Sequence, residues 1–331
     1  MGYVIVSTQI FRKWYADGAT SPLKGSDVNR KPDLVLLSGH FAKRPKELDW
    51  RDVVIFGEVK SRRTSDTLKK SYIEAAGKTA LLLYAQDGRH SAPCLRVLGH
   101  HIVLTFFDRG GSLSTAAFDI HENPEVFLRL LLGVTTVSDP NIGFDETVFW
   151  DANEKKCVLV AWKDTGSDDK HDPFVCLEQL IFISDSLHGR GTTVWSGLIK
   201  HPSRTPRPVV IKDSWIDPLR KFTEGNLLAR LNDANVEGVP LLILEQQVQG
   251  PHPSRPGAKV NMSTHFLRTL LSLSYSHPYH LRVLSRLVTE PVGTSIMSFS
   301  SLAELLVAFI DYVLSRFYSW CMVHTTDDRP L

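Results

Sequence analysis

Short apolar runs punctuate the first third of the chain and predict its elements. Leu34-Val35-Leu36-Leu37 and Val53-Val54-Ile55-Phe56 are four-residue runs of the kind buried strands carry. The period then changes. Leu68, Tyr72, Ala75, Ala76, Thr79, Leu82 and Leu83 fall at helical spacing, which predicts a helix packed on those strands. His101–Phe107 and Leu113–Ile120 flank Asp108-Arg109-Gly110-Gly111, whose glycines supply the positive φ of a hairpin turn. Asn123 before Pro124 reads as a helix start, with Val126, Phe127, Leu130 and Leu131 on one face.

Gly133 to Gly143 is rich in turn residues and is expected to separate two domains. Beyond it, the strand Val209-Val210-Ile211 is expected to end in Lys212, and a helix-like run carries Glu224 ahead of Leu227-Leu228. The polar segments 163–173, 201–208 and 250–263 are expected to be loops. The last strong signal starts at Ser301, which forms a capping box with Glu304. Leu302, Leu305, Leu306, Phe309, Ile310, Val313, Leu314 and Phe317 follow as one helical stripe, expected to face the core.

Composition changes this picture little. The 331 residues suffice for two domains, and 43% hydrophobic with 22% charged residues is a globular balance. A net charge of +2 gives no bulk electrostatic reason to bind nucleic acid or membrane. The four cysteines are widely spaced without a CxxC pair, which argues against a disulfide framework or zinc site and for a reducing compartment. The N-terminus lacks a signal peptide's basic and apolar regions, and Val6 stands where a myristoylation motif needs Ser or Thr. Glu304 and Asp311 interrupt the longest apolar stretch, so no membrane span is expected. A soluble cytoplasmic or nuclear protein is the expectation.

Two constellations carry chemistry. The first is an ordered set: the glycine turn Gly189-Arg190-Gly191-Thr192, the strand with Lys212, and the helix with Glu224. Glycines let backbone amides approach a phosphate, a lysine supplies charge, and a carboxylate orients that lysine. Each piece alone is common: a glycine pair usually makes an ordinary turn, and a strand-end lysine is usually just solvated. Their order is what points to a nucleotide site.

The longer pieces LHGRGTTVW, VVIKDSW, EGNLLARL, VEGVP, RLVTEPVGTSI and SLAELLVAFIDYVL resemble the fungal-type protein kinase family. RKPDLVLL, GEVKS, AQDGR, LTFFDRGG and GFDETV resemble the region that precedes the kinase fold there, so the resemblance spans roughly residues 30 to 318. By that resemblance Gly189 and Gly191 cover the phosphates of ATP, Lys212 contacts them, Glu224 pairs with Lys212, and Thr289, Glu290 and Pro291 lie near the adenine hinge. The helix from Ser301 begins the lower lobe.

Two departures limit this. Val194 replaces the third glycine of GxGxxG, and neither a His-Arg-Asp loop nor an Asp-Phe-Gly loop follows before Leu331. Phosphoryl transfer depends on metal and base, and losing both costs many orders of magnitude in rate. The family class is protein serine/threonine kinase. The chain is expected to be a truncated homologue, a pseudokinase fragment that retains at most ATP binding. Its Leu302–Phe317 face is expected to pack on the upper lobe, dimerise or aggregate, or to recruit a protein partner.

The second constellation lies in the first domain. Pro32-Asp33 and, at a strand end, Glu58-Val59-Lys60 resemble the PD-(D/E)xK nuclease core. Residues i and i+2 of a strand share a face. Asp33 and Glu58 would hold Mg²⁺, and Lys60 would orient or activate the attacking water. Gln86 is the further polar residue that this resemblance brings to the site. Lys43, Arg44, Lys46, Arg62, Arg63, Lys69 and Lys70 suit a nucleic acid backbone, although such runs are most often solvated faces. The bland alternative for the motif is a solvated strand end.

The sequence therefore reads as a mixed α+β and α/β chain. An N-terminal extension (1–29) precedes a nuclease-like α/β domain (30–138). An incomplete kinase-like fold (144–318), comprising the upper lobe and first lower-lobe helices, and a divergent tail (319–331) complete it. The alternatives to the pseudokinase reading are a Mg²⁺-dependent nuclease, the only one with a nucleic acid partner, and a non-catalytic interaction protein.

Overall fold

A computed structural model describes residues 12–16, 21–26, 28–38, 48–160, 174–201, 204–252, 255, 257–269 and 279–325. The basic residues Lys43, Arg44 and Lys46, the loop 163–173 and the tail beyond Thr325 lie outside these residues. The side chain of Phe317 is also outside the description. The chain forms two compact units. One comprises residues 1–146, 183–191 and 250–282, the other residues 147–182, 192–249 and 283–331.

The first unit is built on a sheet ordered β1 (Lys13–Tyr15), β2 (Leu34–Leu37), β3 (Val53–Lys60), β4 (Ala92–Leu98), β5 (His101–Asp108) and β6 (Gly111–Ser114). β7 (Phe118–Asp119) also pairs with β5. β3 and β4 are parallel, joined by the helix α1 (Ser65–Ala85), and the other pairs are antiparallel. Strand alternation sends Val35, Leu37 and Phe56 into a core with Ala75, Leu82 and Leu83 of α1. Leu36 and Ile55 point the other way, to Val134 of α2 (Pro124–Thr136). Both faces of this sheet are therefore covered, which explains the unbroken apolar runs.

Buried polar groups lock this unit. Arg89 is fully buried, and burial pulls it down to about 9. Its guanidinium donates to the carbonyls of Val53, Val54, Ser91 and Ile142 and to Gln86 Oε1. Five acceptors on three segments make it a staple across the start of β3.

The second unit carries β8 (Val148–Trp150), β9 (Lys156–Leu159), β10 (Phe174–Ile183), β11 (Thr193–His201), β12 (Arg204–Ile216), α3 (Glu224–Asp233) and β13 (Leu241–Gln247). The short pair β14 (Gln249–Pro251) and β15 (Lys259–Asn261) and the helix α4 (Thr264–Thr269) follow in the chain, with residues from Gly250 onward in this stretch belonging to the first unit. The chain then continues as β16 (Val283–Glu290) and α5 (Leu302–Thr325). The sheet order is β13-β16-β12-β11-β10-β9-β8, and every neighbouring pair for which a register is described is antiparallel. Arg286 and Asp213 are opposed on β16 and β12 and meet through Nε and Nη2 at 2.8 and 2.7 Å. Two parallel donors satisfy both carboxylate oxygens, so this buried charge pair is fully hydrogen-bonded.

Four expectations change, the first being that the expected loop 250–263 carries strand residues of the pair β14 and β15. Residues 204–208 are strand rather than loop, because β12 pairs with β11 out to Arg204. β12 also runs past Lys212 to Ile216, since β16 continues the ladder on its other side. The α5 stripe does not face a core: Leu302, Leu306, Phe309, Ile310 and Val313 are each more than half exposed. Its helix start forms half as expected. The Glu304 amide donates to Ser301 Oγ, but the Glu304 carboxylate reaches Ser300 instead. Among the described residues no helix is long and apolar enough to cross a membrane.

Candidate functional site

In the second unit β12 and α3 place a lysine against a glutamate. Lys212 Nζ donates to both oxygens of Glu224, each at 2.7 Å. The two side chains are 27% and 42% exposed, so the pair stays open to solvent and to a ligand. α3 starts here because Thr223 caps it, its hydroxyl accepting from the Asn226 amide at 3.1 Å. Glu245 of β13 anchors the same end, accepting from the Thr223 hydroxyl and, at 3.3 Å, from the Gly225 amide. A Cβ on Gly225 would lie 2.5 Å from the Glu245 carboxylate, which is why glycine follows Glu224. The helix N-terminus, and with it Glu224, is set by a half-buried strand carboxylate that no sequence motif marks.

Gly189 and Gly191 belong to the first unit. Both have positive φ, at 115° and 47°. The Gly189 amide donates to the Arg109 carbonyl at 3.1 Å. Arg109 itself donates to Ser186 O at 2.5 Å, and a Cβ on Gly191 would lie 2.4 Å from its Nε. The glycine turn is thus seated on the Asp108–Gly111 hairpin turn. Thr289 is buried on β16, and Glu290 accepts from Arg207 at 3.2 Å.

The nuclease-like residues do come together in the first unit. Glu58 and Lys60 share a face of β3, and Asp33 accepts from the intervening Val59 amide at 2.7 Å. α1 then adds two charged groups one turn apart. Lys60 Nζ donates to Glu74 at 2.5 Å, and Lys78 donates to Glu58 Oε1. Burial pushes the Glu58 carboxyl up to about 7; the Lys78 hydrogen bond and charge oppose this, and the Asp33 and Glu74 carboxylates reinforce it. Lys60 is held above the ordinary lysine value because, against burial, the Glu74 hydrogen bond and charge prevail. Glu74 is lowered, burial being outweighed by its bonds to Lys60 and Glu58.

This donor set does not fit a resident Mg²⁺. The Glu58 carboxylate that would coordinate it already carries the Lys78 ammonium, and Glu58 is 1% exposed. Gln86 is not part of the cluster. Its Nε2 donates to the Trp50 and Val53 carbonyls at the far end of β3, about 16 Å of strand away from Glu58. No motif marks Glu74 or Lys78; the spacing of Ser71, Ala75, Lys78 and Leu82 is the one sequence signal, since it puts Lys78 in a helical stripe whose four members are all buried.

Comparison with known proteins adds one match. The family described as fungal protein kinase matches residues 31–317, which takes in both units. No curated protein and no solved structure matches.

Proposed function

This chain belongs to the fungal protein kinase family, and we propose that residues 1–331 bind ATP through Lys212 without transferring its phosphate. One observation carries the reading: Lys212 is held by both oxygens of Glu224 while remaining partly exposed. A lysine so oriented presents its remaining donor capacity to a phosphate oxygen. Neither His-Arg-Asp nor Asp-Phe-Gly occurs in the 331 residues, so no base or metal-holding carboxylate of those types accompanies it. Isothermal titration with ATP, with and without Mg²⁺, tests this. Binding that Lys212→Ala abolishes, with no radiolabel passed to a generic protein substrate, is the expected result. Label transfer that depends on Lys212 refutes the second half, and binding indifferent to Lys212→Ala refutes the first.

The runner-up is Mg²⁺-dependent nucleic acid cleavage through Asp33, Glu58 and Lys60. It gains from their co-location and from the parallel β3–α1–β4 crossover, and loses to the Lys78 ammonium. Cleavage of an oligonucleotide that Lys60→Ala removes would reinstate it. The apolar α5 face supports a third, separate role as a protein-binding surface, since contiguous exposed apolar patches mark interaction sites. A drop in bound partner after Ile310→Asp in an affinity capture, with the fold unchanged by circular dichroism, is its expected signature.

A further inference from the structure

The second unit holds a reactive cluster that the Lys212 site does not use. Cys157 on β9 and Cys176 on β10 are direct register partners, and their sulfurs lie 2.8 Å apart. Both are buried. Asp151, in the β8–β9 turn, accepts from the Asn153 and Lys155 amides through Oδ1, each at 2.9 Å. Its Oδ2 is left 3.9 Å from the Cys176 sulfur and 3.9 Å from Lys200 Nζ. Lys200 lies on β11.

We propose that Cys157 and Cys176 form an oxidation site at which a peroxide closes a disulfide between β9 and β10. Opposed residues of antiparallel strands have Cα atoms about 4.5–5.5 Å apart, within the span of a disulfide. The competing use is a metal, because the two sulfurs and Asp151 all lie within 4.8 Å of one another. A tetrahedral ion about 2.3 Å from each sulfur would hold them about 3.8 Å apart. Here they are 2.8 Å apart, and Lys200 already brings a cation to the cluster. Both facts favour the sulfur–sulfur bond.

The chemistry divides between the two thiols. Lys200, 3.9 Å from Asp151, brings the cluster the positive charge that favours a thiolate, while burial and the neighbouring thiol push Cys157 up to about 12. Cys176, whose sulfur lies 3.9 Å from the Asp151 carboxylate, attacks first. Its thiolate sulfur takes one peroxide oxygen, the O–O bond breaks, and hydroxide leaves to collect the proton that Cys176 gave up. The Cys157 sulfur then attacks the resulting S–OH, the S–O bond breaks, and the departing hydroxide takes the Cys157 proton. Two thiols and one peroxide become one disulfide and two waters, with two electrons passing from sulfur to oxygen. β8 and β9 are short strands at one end of the sheet order, so local opening there admits a small oxidant.

The test treats the full chain with hydrogen peroxide and maps peptides without reduction, with metal content measured on the same sample. The expected product joins the Cys157 and Cys176 peptides, is lighter than their sum by two hydrogens, and reverts with dithiothreitol. Lys200→Ala should slow its formation about tenfold, while the melting temperature of the oxidised protein rises by roughly 5 °C. Differential alkylation of the unmutated chain reads the same cross-link should Lys200→Ala fail to fold. Oxidation to sulfinic or sulfonic acid without a cross-link overturns the proposal. So does one equivalent of zinc per chain that shields both thiols.

Discussion

Each unit sets a lysine against a glutamate across a strand and a helix, yet the two pairs do opposite things. In the first unit the strand carries Glu58 and the helix Lys78, and both are buried. In the second the strand carries Lys212 and the helix Glu224, and both reach solvent. Burial raises the Glu58 carboxyl to about 7, near neutrality. The exposed pair is screened and contributes little to stability, but its lysine is reachable. The same two residue types are therefore sealed in the fold in one place and, on the function proposed above, open to a ligand in the other, and solvent access separates them.

Removing each lysine is the sharpest way to break this contrast. Lys78→Ala leaves a buried carboxylate without its partner and should lower the unfolding free energy by about 3–5 kcal/mol. Lys212→Ala should cost less than about 1 kcal/mol. Urea unfolding of both variants measures this, and equal losses would erase the distinction.

A pH series reads the next largest effect. The folded-state Glu58 value lies above its ordinary 4.5, so the folded state binds the proton more tightly. That stabilisation is present below about pH 4.5 and is lost as pH rises to about 7. It amounts to roughly 3 kcal/mol at most. Glu58→Gln should flatten this part of the stability profile, whereas Glu224→Gln should leave it unchanged.

Gly225→Ala acts on the other pair. The added Cβ meets Glu245 and shifts the start of α3, with an expected cost of about 1–3 kcal/mol. Nucleotide affinity should fall with it, because Glu224 is the next residue. An affinity that stays constant while stability drops would show that Glu224 does not position Lys212 for the ligand.

Smallest is the effect of salt. The Lys212–Glu224 contribution should shrink between low and physiological ionic strength, while the Glu58–Lys78 contribution holds, because screening reaches only solvent-exposed charge. Double-mutant cycles at the two salt concentrations would show the difference.

Much of this was legible in the chain. Leu34–Leu37, the α1 stripe, the Asp108–Gly111 turn and α3 occur where periodicity and turn residues put them. Glu58 and Lys60 share a face because a strand has period two. β4 escaped notice: Ala92–Leu98 carries Pro93 and Arg96, and only pairing on both sides makes it a central strand. The α5 stripe marks a helix but not a core face, since spacing reports a shared face and not what lies opposite.

Local interactions repeat with the chain itself, so the sequence alone determined the helices, turns and strand faces, and the family to which the ordered motifs belong. Partners that meet across the fold were decided only by tertiary structure. Lys78 on Glu58, Glu245 on the start of α3, and Cys176 opposite Cys157 each join residues 19 to 22 positions apart through register and packing. Burial then set their chemistry, because the cost of a charge depends on the solvent it has lost, a quantity that no single segment encodes.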